Sequence, residues 1–335
     1  MKDATIKDIA AEAQVSISTV SRVVNGNYPV SKAAKTRVLT AMQKLDYHPN
    51  AVARSLRNNR TNLVALIIAD LSNQFFMEIA KGLEAEVNTI GDNLMIAASG
   101  NDPARENQII DTLIARKVDG LVIATAGDES RDAIRKVQSC GIPLVLVDRS
   151  LTKVNANQIL WDDFQVSYAL TQLLIAQGHT KIGIVNVTLR TTTGKRRLDG
   201  FLKALNDYQL SVDASFVSDS NFDADEAYQF VRQLFSKQCR PTALVCENNI
   251  MALGTLRALR DLRLEVGKDV SLVVFGNIIT DLYLPFSITH ACQDSVLMGR
   301  KAGQRLIANI QNPEMDPAQE VISCPIVHGD SVRKL

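Results

Sequence analysis

The sequence predicts a small all-α head followed by an α/β body whose parallel sheets form two lobes. Three observations carry this. The first sixty residues hold short amphipathic helices bounded by capping residues. From Leu63 onward, short apolar runs alternate with helix-length amphipathic stretches. The charge divides at the same place. Residues 1–60 hold ten Lys/Arg against four acids, net +6, and the remainder holds 27 against 32, net −5. A basic head on an acidic body is expected where one end meets a polyanion.

At 335 residues the chain exceeds one small core, so two or three domains are expected. The five cysteines (Cys140, Cys239, Cys246, Cys292, Cys324) form no C-x-x-C pair, which fits a reducing compartment and neither a disulfide scaffold nor a zinc site. The first residues, MKDATIKDIAAEAQVS, have no apolar core of a secretory signal. Apolar runs such as LVALIIA, seven residues long, fall far short of the roughly 18 needed to span a bilayer. A cytoplasmic protein without membrane contact is expected.

In the head, Thr5-x-x-Asp8 reads as a capping box that opens a helix at Ile6, with Ile6, Ile9, Ala10 and Ala13 on one face. Ser16 can cap a second helix with Val20, Val23 and Val24 inward. Asn25 and Gly26 offer it an exit, and Pro29 blocks continuation. Ser31 caps a third helix with Val38, Leu39, Met42 and Leu45 inward. Two helices around a three-residue turn make a helix-turn-helix unit, whose second helix enters the major groove. Ile17, Ser18, Ser21 and Arg22 point outward there, and Arg22 can donate two hydrogen bonds to guanine. Ser16, Thr19 and Asn25 are better placed for phosphates. A single Ser or Thr on a helix is as often a plain solvent-facing residue. After YHP, Asn50 can cap a short helix through Leu56 that carries Arg54 and Arg57. One reading is a linker. The other is a segment that folds on DNA with Leu56 wedged into the minor groove. With Thr5, Asn50, Arg54 and Leu56, the residues above form the expected DNA-contacting set.

The stretches TIKDIAAEAQVSISTVSRVVNG, VSKAAKTRVLTAMQKLDYHPNAVARSLR and LIIADLSNQFF together resemble the lactose-repressor (LacI/GalR) family of bacterial transcription regulators. The resemblance covers essentially the whole chain. It implies a homodimer reading double-stranded operator DNA, with Leu56 of a hinge helix in the central minor groove. It also implies a periplasmic-binding-protein-like core with a small-molecule effector between two lobes. The expected division is residues 1–48 for DNA binding, 49–60 for the hinge and 61–335 for the core. The N-lobe would take about 61–160 and 291–321, and the C-lobe about 161–290 and 322–335.

The apolar runs of the body are LVALIIA, LMIAAS, GLVIAT and PLVLVD, then KIGIVNV, TALVC and SLVVF, with a break around Asn157–Asp162. Short continuous runs between helices argue parallel sheets covered on both faces. A ligand of such sheets sits beyond the C-terminal strand ends. That places Asn73 and Phe75, Arg149, the loop Arg190, Thr191 and Thr193, Phe222 and Asp223, Asn248, and Asn277 at the cleft, with Gln293 at a lobe crossing. Arg197-x-x-Gly200-Phe201 matches an R-x-x-G-F motif in which the resemblance implies that the arginine reaches the effector. The chain also departs from the family pattern. It has Gly276 where a carboxylate commonly grips sugar hydroxyls, and Asn248-Asn249 where Asn-Asp is frequent. With Arg149, Arg190, Arg197 and Lys117 remaining, partly offset by Asp148 and Asp223, an anionic effector such as a sugar acid or sugar phosphate is expected.

TTTGKRR (191–197) could also suggest a nucleotide loop, but it lacks the flanking glycine and the Ser/Thr of a Walker motif. No G-x-S-x-G, H-E-x-x-H or G-x-G-x-x-G motif stands in a catalytic or nucleotide-binding context, and no cofactor or enzyme activity is expected. A cytoplasmic ligand-binding protein or enzyme without a DNA role is the alternative. The last residues, VHGDSVRKL, show no leucine heptad, so the expectation stops at a dimer.

Overall fold

A computed structural model describes residues 4–25, 29–47, 60–278 and 285–335. The chain divides into two compact units between Thr61 and Asn62.

The N-terminal unit holds three helices, α1 (Ile6–Glu12), α2 (Ile17–Asn25) and α3 (Lys32–Lys44). The capping box forms as the sequence predicts. The Thr5 hydroxyl accepts from the Asp8 amide at 3.4 Å, and the Asp8 carboxylate accepts from the Thr5 amide at 2.8 Å. Ser16 accepts from the Thr19 amide at 3.2 Å, and Ser31 from the Ala34 amide at 3.3 Å. Ile9, Ala10, Ala13, Val20, Val38 and Ala41 close the core. Leu39 corrects the expected face of α3. It is 46 % exposed, and Ala41 is buried instead. Positions 38, 41, 42 and 45 follow the helical repeat from Val38, whereas Leu39 lies one position around.

In the larger unit the first sheet runs β10-β5-β4-β3-β1-β2 and is wholly parallel. Its strands are β1 (Leu63–Ile68), β2 (Asn93–Ala98), β3 (Gly120–Ile123), β4 (Leu144–Val147), β5 (Asn157–Trp161) and β10 (Gln319–Ile322). The second runs β11-β9-β8-β7-β6, built from β6 (Ile182–Val185), β7 (Ala243–Cys246), β8 (Ser271–Phe275), β9 (Thr289–Ala291) and β11 (Ile326–Val327). Only β11 is antiparallel to its neighbour. The expected break at Asn157–Asp162 is therefore a strand. Asn157 and Gln158 interrupt its apolar pattern, and Asn157 is buried because its amide bonds Asn309 at 3.0 Å and its carbonyl oxygen accepts from Arg305 at 2.6 Å.

The chain passes between the two sheets after β5, after β9 and after β10. The helix Asp163–Ala176 thus packs on the second sheet, and the helix Ser295–Gln311 returns to lie against the helix Gln74–Val87 of the first. These crossings bring the C-terminal ends of β1 and β4 opposite those of β6, β7 and β8. Among the described residues, no helix is long and apolar enough to cross a membrane.

Candidate functional site

The converging strand ends enclose a cleft with about 530 Å³ of empty space, part of it open to solvent. Two buried arginines dominate it. Arg197 is 4 % exposed. Its Nε donates to Asp163 at 2.8 Å, its Nη1 donates to the Glu247 carbonyl, and its guanidinium lies 3.7 Å over the Phe275 ring. Arg149 is 2 % exposed. Its Nη1 donates to Asn101 at 2.7 Å and to the Thr125 carbonyl at 3.0 Å, and its guanidinium lies 4.6 Å from the centre of Phe222. The Asp148 carboxylate stands 3.6 Å from its Nε.

Carboxylates surround these cations. Burial pushes Asp163 up to about 6 and Glu247 up to about 7, although Arg197 pulls both the other way. Burial also raises Asp148 and Glu106, against the pull of Arg149. The Ser167 hydroxyl lies 2.7 Å from the Arg197 carbonyl and 2.5 Å from Glu247 Oε1. One hydroxyl proton cannot serve both oxygens. A protonated Glu247 supplies the second proton, which agrees with its raised pKa.

The expected excess of cations in the cleft is therefore absent. Asp163 offsets Arg197, and Asp148 stands beside Arg149. Lys117 stands at the N-terminal end of β3, away from the strand ends that form the cleft, and Arg190 is exposed.

TTTGKRR supplies the N-cap, Thr191, and the first turns of a helix, Thr192–Asp207. The Thr191 hydroxyl accepts from the Gly194 amide at 3.3 Å and lies 2.9 Å from the Thr193 hydroxyl. Gly194 is required by packing, because a Cβ there would lie 2.2 Å from the Thr188 carbonyl oxygen. Cations at a helix start oppose the helix dipole. Here each faces an acid of the protein, Lys195 near Asp128 at 3.9 Å, Arg196 near Asp162 at 3.7 Å, and Arg197 on Asp163. No external anion is needed to explain them.

Eight of the residues placed at the cleft from sequence line it: Asn73, Phe75, Arg149, Thr193, Arg197, Phe222, Asn248 and Gln293. Asn277 lines an adjoining chamber of about 300 Å³ that shares Phe75, Asn249 and Gln293 with the cleft. Three lie outside both. Thr191 is committed to capping, Arg190 faces solvent, and Asp223 caps the helix Ala224–Phe235 through the amides of Asp225 and Glu226. Asn101 and Asn249 join the lining without having been singled out as ligand contacts, with Asp163 and Glu247 behind it. Asp163 follows β5, the strand whose pattern was obscured. Glu247 ends an apolar run, but nothing in the sequence shows that Arg197 folds back onto it. Across the cleft, Asn249 donates to Asn73 at 3.1 Å, and the Thr192 hydroxyl bridges the Ser150 amide at 3.1 Å and carbonyl at 3.2 Å. Among the described residues, no group of three His, Cys, Asp or Glu is arranged to hold a metal ion.

In the N-terminal unit, Ser16, Ile17, Ser18 and Arg22 are exposed around α2. The Ser16 hydroxyl contacts those of Ser18 at 2.7 Å and Thr19 at 2.8 Å. Ser21 is half-buried, Thr5 caps α1, and Asn25 ends α2. Asn50, Arg54 and Leu56 lie outside the described residues.

Comparison with known proteins matches residues 5–50 to the model for bacterial regulatory proteins of the lacI family. Residues 61–328 match the model for periplasmic binding proteins and the sugar binding domain of the LacI family. The ribose operon repressor of Haemophilus influenzae is 33 % identical over 332 residues, 99 % of each chain. The transcriptional repressor PurR of the same species (strain PittEE) is 33 % identical over 314 residues, 93 % of this chain and 92 % of that protein. Among solved structures, the Lac repressor dimer bound to operator and an anti-inducer aligns with a TM-score of 0.87 at 26 % identity, over 99 % of this chain and 100 % of that one. The chain belongs to the LacI family of bacterial regulatory proteins.

Proposed function

We propose that this protein is a cytoplasmic, homodimeric repressor that holds operator DNA through α1–α3 and a hinge at 49–60, and that a small, uncharged polyhydroxyl ligand between its lobes sets that affinity. Residues 61–335 form the ligand-binding and dimerisation part. No enzymatic step is assigned to it.

The observation that carries the ligand class is the neutralised arginine pair. Arg149 and Arg197 line the cleft with their charges already met by Asp148 and Asp163. Further negative charge would enter a site that holds its own carboxylates, whereas hydroxyls can use both kinds of partner. Pentoses fit this chemistry, and one relative is a ribose operon repressor. Binding across the cleft would engage both lobes, and through the second-lobe contacts of Thr192 and Asn249 it would bias their relative position. Coupling of about 1–3 kcal/mol to DNA affinity is ordinary for such a device.

A gel shift on the DNA upstream of the protein's own gene tests this, with D-ribose, D-ribonate and ribose 5-phosphate added in turn. D-ribose is expected to change operator affinity and the two anions are not. A response to the anions alone would overturn the ligand class, and no binding to any such DNA would overturn the operator reading.

A further inference from the structure

The helix Pro103–Ala115 carries a charge where its pattern calls for an apolar side chain. Glu106, Ile110 and Leu113 are its buried residues, spaced i, i+4 and i+7 along one face. Glu106 is wholly buried and forms no ion pair with a described residue. A carboxylate in such a place is costly unless hydrogen-bonded, so its bonds show what it is for. Both oxygens are used. Oε1 accepts from the Thr125 hydroxyl at 3.0 Å, and Oε2 accepts from the Ala126 amide at 2.7 Å. Glu106 thereby pins the chain where it leaves β3, yet it does not itself line the cleft.

Arg149 is held at that same point. Its Nη1 donates to the Thr125 carbonyl at 3.0 Å and to Asn101 Oδ1 at 2.7 Å. Its Nε finds no acceptor, and among the described residues its Nη2 makes no hydrogen bond. A guanidinium is a rigid planar fork, so two acceptors at one nitrogen fix the direction of the others. Both acceptors hang on the first turn of the helix Pro103–Ala115. Asn101 precedes its cap, Asp102, which accepts from the Ala104 amide at 2.8 Å. Thr125 is tied to it across 19 positions through Glu106.

We propose that Glu106 is a positioning residue for the cleft, holding the Thr125 carbonyl in place so that Arg149 keeps its Nη2 free for the ligand. The assignment rests on the cleft being the effector site. It puts a determinant of affinity behind the wall, on a side chain outside the cleft lining. An apolar residue at 106 would leave the Ala126 N–H and the Thr125 hydroxyl without that partner, and the chain beyond β3 free to shift.

Calorimetry with D-ribose on the full-length protein, beside crystal structures of the ligand-free forms, tests this in the wild type, Glu106→Leu and Glu106→Gln. Glu106→Leu is expected to weaken D-ribose about tenfold, the scale of one hydrogen bond to a charged group, and to move Arg149 Nη1 out of hydrogen-bond reach of the Thr125 carbonyl. Glu106→Gln is expected to stay within about threefold of wild type, because its carbonyl oxygen still accepts from Ala126 and the Thr125 hydroxyl can turn to accept from its amide. A merely structural role would lower the melting temperature of Glu106→Leu but leave Arg149 in place. Arg149 unmoved in Glu106→Leu overturns the assignment, as does D-ribose binding within about twofold of wild type. A loss in Glu106→Gln equal to that in Glu106→Leu also overturns it, since charge and not the two bonds would then be at work. If Glu106→Leu does not fold, Thr125→Val removes one of the two bonds and is expected to weaken D-ribose about threefold, with unchanged affinity overturning the assignment. A wild type that binds no D-ribose overturns the ligand class alone, and the position of Arg149 in the ligand-free structures then decides the assignment.

Discussion

Replacing Glu247 with Gln should stabilise the protein at alkaline pH and leave it nearly unchanged at acid pH. Glu247 is wholly buried, and its pKa stands at about 7 against an ordinary 4.5. Between those values the native state holds one proton more than the unfolded chain. Stability therefore falls as pH rises from about 4.5, and the fall ends above about 7. At about 1.36 kcal/mol per pH unit, the accumulated loss is about 3 kcal/mol. Gln mimics the protonated acid. Its carbonyl oxygen or its amide can meet the Ser167 hydroxyl that Glu247 meets at 2.5 Å. Urea melts at pH 5, 6, 7 and 8 under matched ionic strength should show the variant more stable by about 3 kcal/mol at pH 8, with the gap closing to within about 1 kcal/mol at pH 5. Asp163, raised by burial to about 6, makes the wild-type curve fall in the same direction, so the difference between the two proteins is the quantity to follow. A gap that does not change with pH, or a variant less stable than wild type at pH 8, would refute the neutral state of Glu247.

Gly194→Ala must move either the Thr188 carbonyl or the helix start, and a loss of about 2–4 kcal/mol in unfolding free energy is expected from denaturant melts. Thr5→Ala removes half of a capping box and should lower the stability of the N-terminal unit by about 1 kcal/mol, read from the circular dichroism melt of α1–α3 within the full chain. Leu56→Ala should weaken operator binding while calorimetry shows D-ribose binding intact, and unchanged operator affinity would count against a hinge wedge. Arg22→Ala should relax base preference at one position of each half-site in a binding-site selection, whereas loss of a phosphate-contacting residue would mainly reduce the salt dependence.

The fold was legible wherever burial on both faces produced an unbroken apolar run. Strands β1, β3, β4, β7 and β8 are of that kind. It was obscured at β5 and β10, where NQILW and QEVI alternate or expose polar residues at one end of the sheet. That gap carried into the site. Without β5, Asp163 was not seen as a residue at a strand end, and the partner of Arg197 was missed. The acids beside the cleft arginines were hidden for the same reason. Cations in a loop can be counted from sequence, but the acid that pairs with one can come from a distant element, as Asp163, 34 positions away, does for Arg197. Hydroxyls and acids after a strand are ambiguous for another reason. Thr191 and Asp223 stand at helix starts, where the orphan amides of the first turn claim them before any ligand can.

The three crossings between the sheets also bear on how the protein is made. The helix Ser295–Gln311 and β10 are synthesised late, yet they belong to the sheet that begins at Leu63. While residues 163–290 are emerging from the ribosome, the apolar side of the helix Gln74–Val87 waits for its cover, and the β5 edge waits for its neighbour. The first lobe can then form only a partial sheet, with an open edge of the kind that recruits other chains. Nascent chains paused in this interval should be more prone to aggregate, and more in need of chaperones, than the finished protein.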